Sequence, residues 1–152
     1  KNIMPKASVK RLIECNKGQL IDLVLDIENY PSFIPYCLNS KVYEKKEKDD
    51  IISIIADLTI GKGLFKATYK SDVKYYKNTD IIYVTNIEGP LKHLDNKWTF
   101  LEKCNYTEIS FDIDFEIENK FLNIVMSNSF QYGLDRIADS FQKRANDLFK
   151  SK

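Results

Sequence analysis

A chain of 152 residues has the length of one domain and can bury roughly 70% of its unfolded surface. Its 23 basic residues balance 22 acids, and a net charge of +1 excludes any global pull toward nucleic acid or anionic lipid. Three scattered cysteines and a single histidine exclude a disulfide framework or zinc finger, and favour a reduced, cytoplasmic compartment. No apolar run approaches the ~18 residues of a membrane span, and no signal-peptide pattern opens the chain.

Residues 6–14 read as a first strand, with Ala7, Val9 and Ile13 on one side. Asn16 and Gln19 stand where a helix N-cap and its reciprocal partner belong. Leu20, Leu23, Val24 and Ile27 follow at helical spacing, with Asp22 and Asp26 on another face. Next comes Tyr30-Pro31-Ser32-Phe33-Ile34-Pro35-Tyr36-Cys37, whose two prolines bar it from a helix interior or central strand. Aromatics on such a rigid, kinked connection must pack on a core or line a cavity, since loops normally run over the surface.

Residues 40–47 read as a polar edge strand, and the charged run Glu44 to Asp50 as a solvated hairpin loop. In 51–60, Ile52, Ile54, Ala56, Leu58 and Ile60 alternate against Ser53, Asp57 and Thr59. Gly61 and Gly63 mark a turn, after which Phe65, Ala67, Tyr69, Val73 and Tyr75 alternate against Lys66, Thr68, Lys70, Asp72 and Lys74. The strand pattern continues through 80–88 and 95–102. It is cleanest in 109–117, where five apolar residues from Ile109 to Ile117 interleave with Ser110, Asp112, Asp114 and Glu116. Period two predicts one buried face and one wet face, as in an antiparallel sheet covered on one side.

The last segment changes period. Phe130, Leu134, Ile137, Phe141, Ala145 and Leu148 step by three or four, opposite Asp135, Asp139, Lys143 and Asp147. A lone long helix must bury its stripe, and the one-sided sheet is the only large partner. The whole of 1–152 therefore reads as a single α+β domain.

Chemistry is sparse. His93 follows a Gly-Pro turn and reads as a polar surface or turn residue, because the chain cannot assemble a triad or zinc site around it. Asp112 and Asp114 fall on the wet face, where a buried general acid has no place. Lys62, Lys66, Lys70 and Lys74 share that wet face as solubility and edge protection, or as a local strip for anionic lipid or ribosomal RNA. No aromatic residues interleave with these lysines along their strand, as single-strand binding requires.

Three stretches occur in series: the Tyr30–Cys37 octet; Gly89-Pro90-Leu91-Lys92-His93-Leu94 with Trp98 and Phe100; and Phe141-Gln142-Lys143-Arg144-Ala145. Together they resemble the signature of the coenzyme Q-binding / RatA family of START-like proteins, in the polyketide cyclase/dehydrase superfamily. The resemblance spans nearly the whole chain. It implies a helix-grip fold, in which a curved antiparallel sheet wraps around the long C-terminal helix and leaves an apolar tunnel. Coenzyme Q-binding members are thought to hold quinone or other isoprenoid lipid there. On that basis Tyr30, Phe33, Pro35, Tyr36, Phe65, Tyr69, Trp98, Phe130, Leu134 and Ile137 are the expected ligand-binding residues. Tyr30, Tyr36 and Tyr69 supply hydroxyls for a quinone carbonyl, while Phe141 to Ala145 is structural, with Arg144 pairing locally. The implied role is non-catalytic chaperoning of an apolar lipid for respiration or quinone biosynthesis, with no covalent cofactor. It would act peripherally at the inner membrane, on the matrix side in a eukaryote. The alternative is the RatA branch, which binds the large ribosomal subunit and blocks subunit association; a cyclase-type enzyme is a distant third.

Overall fold

The computed structural model describes residues 6–149, apart from the side chains of Lys62, Phe65, Leu122 and 124–129. The elements run β1 (Lys6–Ile13), α1 (Lys17–Leu25), a 3-10 turn (Ile27–Ser32), β2 (Cys37–Lys48), β3 (Ile51–Lys62) and β4 (Phe65–Tyr76). They continue β5 (Ile81–Glu88), β6 (Leu91–Lys103), β7 (Tyr106–Ile117) and α2 (Lys120–Phe149). One seven-stranded sheet has the order β1-β7-β6-β5-β4-β3-β2, antiparallel throughout, so β2 to β7 form a meander and β1 closes its last edge. Register irregularities in β2, in β4 and β5 at Lys70/Ser71, and in β6 at Leu91/His93 bend the strands, because an extra residue increases local twist.

The expected alternation holds. Ile54, Ala56, Val73, Ile109, Phe111, Phe115 and Ile117 are all buried, and α2 lays Leu134, Ala138, Phe141 and Ala145 against that face. The β3–β4, β5–β6 and β7–α2 turns lie at one end of the sheet, the near end; the other hairpin turns lie at the far end. Helix α2 starts at the near end and runs to the far one.

Four expectations need correction. The run Glu44 to Lys48 is strand, with only Asp49-Asp50 turning, because backbone pairing to β3 continues whatever the side chains. Its charges instead protect an exposed edge. The octet is not wholly irregular: Tyr30, Pro31 and Ser32 belong to the 3-10 turn and Cys37 opens β2. Helix α2 begins at Lys120, well before Phe130. Leu148 is half exposed, and Phe149 packs on the core instead, since a four-residue step from Ala145 stays on the stripe where a three-residue step drifts off it.

The far end is tied together locally. Asn16 and Gln19 form the reciprocal cap, with Gln19 N donating to Asn16 Oδ1 at 2.8 Å and Asn16 N to Gln19 Oε1 at 3.2 Å. Lys17, at the start of α1, meets Asp80 of the β4–β5 turn at 2.8 Å, and the Tyr75 hydroxyl donates to the same carboxylate at 2.9 Å. At the near end, Gly89 has φ of 134° and touches β4, where a Cβ would lie 2.8 Å from that of Tyr69. Only glycine fits there.

Candidate functional site

The ladders bring one set of residues to the inner face, under α2. Ile52 pairs with Tyr75, Ile54 with Val73, Ala56 with Ser71 and Leu58 with Tyr69. Ser71 in turn pairs with Asn86, and Val84 with Asn96. An otherwise apolar surface is thus crossed by a polar seam of Ser71, Asn86 and Asn96. Ser71 Oγ donates to the Ala56 carbonyl at 3.3 Å, and Asn86 Nδ2 to the Leu91 carbonyl at 3.0 Å. Asn96 Nδ2 donates to the Asp112 carbonyl at 3.1 Å, while its Oδ1 accepts from Trp98 Nε1 at 3.0 Å. Sequence reading missed these residues. Ser71 was legible by parity alone, lying in phase with Tyr69 and Val73.

The seam separates two apolar clusters. On the far side Trp98 stacks on Phe111 at 4.1 Å, and Phe141 meets Trp98, Tyr30 and Phe33 edge-on at 5.2, 5.7 and 5.4 Å. Leu134 and Ile137 belong to this cluster. On the near side Leu94, Phe115 and Ile117 gather Tyr69, Leu91, Ile113 and Phe130, with Phe115 and Phe130 rings 4.5 Å apart. The expected aromatics therefore form two groups rather than one. Half-buried Pro35 leads into Tyr36, whose φ is 71°, whose carbonyl accepts from Gly61 N at 2.9 Å and whose ring lies beside Gly133. The Phe65 side chain lies outside the described residues.

The tyrosine hydroxyls differ in what they have left to offer. Tyr30 donates to the Val24 carbonyl and is spent on the fold. Tyr69 forms no hydrogen bond among the described residues, although burial pushes its phenol far above the ordinary range. The side chain is half-buried and its hydroxyl is not among the buried groups left without a partner, so it is a neutral donor and acceptor still within reach of water or a ligand. The neighbouring Cys37 thiol is pushed up to about 11 by burial, so it is not an activated nucleophile.

The remaining polar features lie elsewhere. His93 is on β6 rather than in a turn, because pairing starts at Leu91; its Nε2 is 3.2 Å from Asp95 and 3.8 Å from Asp114. Among the described residues no group of His, Cys, Asp and Glu is arranged to hold a metal. Half of the basic strip is compensated: Lys70 meets Glu88 at 3.5 Å and Lys74 meets Asp72 at 2.9 Å, whereas Lys66 forms no ion pair among the described residues and the Lys62 side chain lies outside them. One aromatic from β2 does lie beside it: the Tyr43 ring is 4.6 Å from Lys70 of the strip and 4.8 Å from Lys41. Arg144 lies 5.2 Å from the Phe33 ring, so its local partner is aromatic. Two surface depressions, of about 420 and 590 Å³, are lined mainly by polar residues and by none of those expected to bind ligand.

Comparison with known proteins places this geometry. Residues 18–142 match the family model described as polyketide cyclase / dehydrase and lipid transport. The chain belongs to that family. The mitochondrial coenzyme Q-binding protein COQ10 of Dictyostelium discoideum is 34% identical over 137 residues, covering 88% of this chain and 65% of that protein. The chain thus spans slightly less than two thirds of that relative's length. The ribosome association toxin RatA of Rickettsia prowazekii is 29% identical over 143 residues, covering 92% of this chain and 95% of the toxin. A START superfamily protein from Mycobacterium smegmatis superposes with a TM-score of 0.79 at 14% identity, covering 95% of this chain and 99% of its own. The Zhui aromatase/cyclase from Streptomyces sp. R1128 also scores 0.79, at 12% identity and with 95% and 94% coverage. The resemblance carried by the three motifs and the helix-grip fold both hold. Neighbours of this fold include binding proteins and an aromatase/cyclase, and no helix among the described residues is long and apolar enough to cross a membrane.

Proposed function

We propose that the chain binds an isoprenoid quinone or a similar apolar lipid without transforming it, and by holding that lipid supports respiration or quinone biosynthesis. The observation that carries this reading is the Tyr69 hydroxyl, without a hydrogen-bond partner among the described residues, inside the near-side cluster and next to the polar seam. A head-group carbonyl can replace water at that hydroxyl, and the apolar walls around Phe115 and Phe130 receive the tail. Taking such a tail from water costs about 0.8 kcal/mol per methylene, whereas exchange between two apolar sites is nearly neutral. A carrier therefore needs only matching walls and a few polar anchors. Pro35 and Tyr36 frame the entrance in this reading, and Trp98, Leu134 and Ile137 close the far side. The cargo places the protein peripherally at the inner membrane.

The test is mass spectrometry of organic extracts from purified protein and its Tyr69→Phe variant. Stoichiometric quinone or isoprenoid lipid in the parent, reduced in the variant, supports the reading. Extracts free of lipid at both positions overturn it.

A second reading is ribosome association through the large subunit. It is favoured by length, since the match to the Rickettsia toxin covers nearly all of both chains. The compensated strip of Lys70 and Lys74 argues against a strong electrostatic hold on RNA. Co-sedimentation with large subunits that survives Lys66→Glu, Lys70→Glu and Lys74→Glu together would remove the strip as the contact.

A further inference from the structure

The two ends of the sheet are built from different residues. Far-end turns read Asp49-Asp50, Lys77-Asn78-Thr79-Asp80 and Cys104-Asn105, with no large apolar side chain. At the near end, among the described residues, stand the two most exposed large apolar side chains: Leu64, 106% exposed at the β3–β4 tip, and Phe121, 72% exposed in the first turn of α2. Below these two the ends are alike, with Leu38 and Ile87 half-exposed at the near end and Leu12, Leu101 and Leu148 half-exposed toward the far one. Leu64 and Phe121 come from separate segments, so no one turn's local chemistry accounts for both. Folding alone gains nothing by presenting a leucine entirely to water.

Cations accompany the two most exposed residues. Lys66 lies two residues from Leu64 and Lys120 directly precedes Phe121; both are exposed, and neither forms an ion pair among the described residues. This contrasts with Lys70, Lys74 and Lys92, each of which faces a carboxylate within 3.5 Å. Apolar tips beside uncompensated lysines fit a surface that is apolar below and negative at its boundary.

We infer that the near end docks on anionic phospholipid bilayers, with Leu64 and Phe121 entering the acyl boundary and Lys66 and Lys120 meeting the headgroup phosphates. The inference rests on the lipid-carrier reading for its purpose, because the cluster holding Tyr69 and Phe130 lies toward the same end. Docking there lets cargo pass between bilayer and cluster without crossing water.

The experiment is flotation of the full chain with quinone-free vesicles of phosphatidylcholine mixed with phosphatidylglycerol, and with phosphatidylcholine alone. The parent floats with the mixed vesicles, and less so with phosphatidylcholine alone or as salt rises. Leu64→Asp and Phe121→Asp each weaken this binding by about tenfold or more, since each removes one large apolar insertion. Leu64→Gln does the same without adding charge, and melting temperatures stay at the parent value. Lys66→Glu with Lys120→Glu abolishes the preference for the anionic lipid. A parent that floats with neither vesicle, or variants that bind unchanged, overturns the inference. So does loss of ribosome co-sedimentation in these variants with vesicle binding intact. Quinone-free vesicles separate docking from cargo: failed docking with quinone still extracted sinks this inference alone, and the converse sinks the carrier reading alone.

Discussion

The two halves of α2 cover the same sheet in different ways. Toward the far end Leu134, Ala138, Phe141 and Ala145 are all buried, and Phe141 alone touches three other rings. Toward the near end Phe130 rests on Phe115, Phe121 faces water, and the tyrosine beneath lacks a hydrogen-bond partner among the described residues. Among the described residues one half packs a dense aromatic core and the other a smaller cluster, and in the carrier reading proposed above only the second receives cargo. The difference teaches that a single continuous helix can pack two clusters on one sheet, with the division marked by the seam of Ser71, Asn86 and Asn96.

The comparison breaks first at Leu134. Leu134→Asp puts an unpaired carboxylate on the far half and should destabilise by more than the about 2–5 kcal/mol of a leucine-to-alanine change. Thermal melting reads this directly; a tolerant site would mean the far half is not a dense core. Next, Phe141→Ala should cost about 3–5 kcal/mol, because it empties the space between Trp98, Tyr30 and Phe33, whose rings all meet that of Phe141. Phe130→Ala should cost distinctly less in denaturant melts of lipid-free protein, since among the described residues its ring meets one other, that of Phe115. Equal costs would erase the distinction between halves.

A smaller effect sharpens the far end. The hydrogen bond from Lys17, and then that from Tyr75, hold the Asp80 carboxyl below its ordinary range against the opposing effect of burial. A group with a depressed folded pKa adds stability above its unfolded value of about 4 and loses it as pH falls through the folded one. Asp80→Asn should therefore flatten the acid limb of a stability–pH curve. Lys17, raised by the same hydrogen bond, adds stability that is lost only as pH rises through its folded value. An unchanged acid limb in Asp80→Asn would show that α1 is held by packing alone.

Much of this fold was legible because alternation from Ile109 to Ile117 and the stripe from Leu134 to Ala145 are strong periodic signals that burial enforces. The Asn16–Gln19 cap was legible for a local reason, since its partners lie three residues apart. What failed to show depended on the third dimension. A charged edge strand looks like a loop because its pairing partner is backbone, not side chain. Leu148 and Phe149 are separated by one residue of helical drift, which a stepwise pattern does not resolve. The site was half legible: Tyr69 was named among three tyrosines, but only the structure shows that Tyr30 is spent on Val24. The polar seam depended on parity across strands, and the exposure of Leu64 on how far one hairpin projects.

The central claim is that Tyr69 anchors a quinone head group on the near half. The direct measurement is titration of delipidated protein with a short-tailed quinone, reading the emission of Trp98, which borders the seam through Asn96. The account predicts saturable quenching in the parent, and an affinity weaker by about fivefold in Tyr69→Phe, the worth of one hydrogen bond of about 1 kcal/mol, at unchanged melting temperature. Absence of saturable quenching in the parent, or equal affinity in the two proteins, would contradict it.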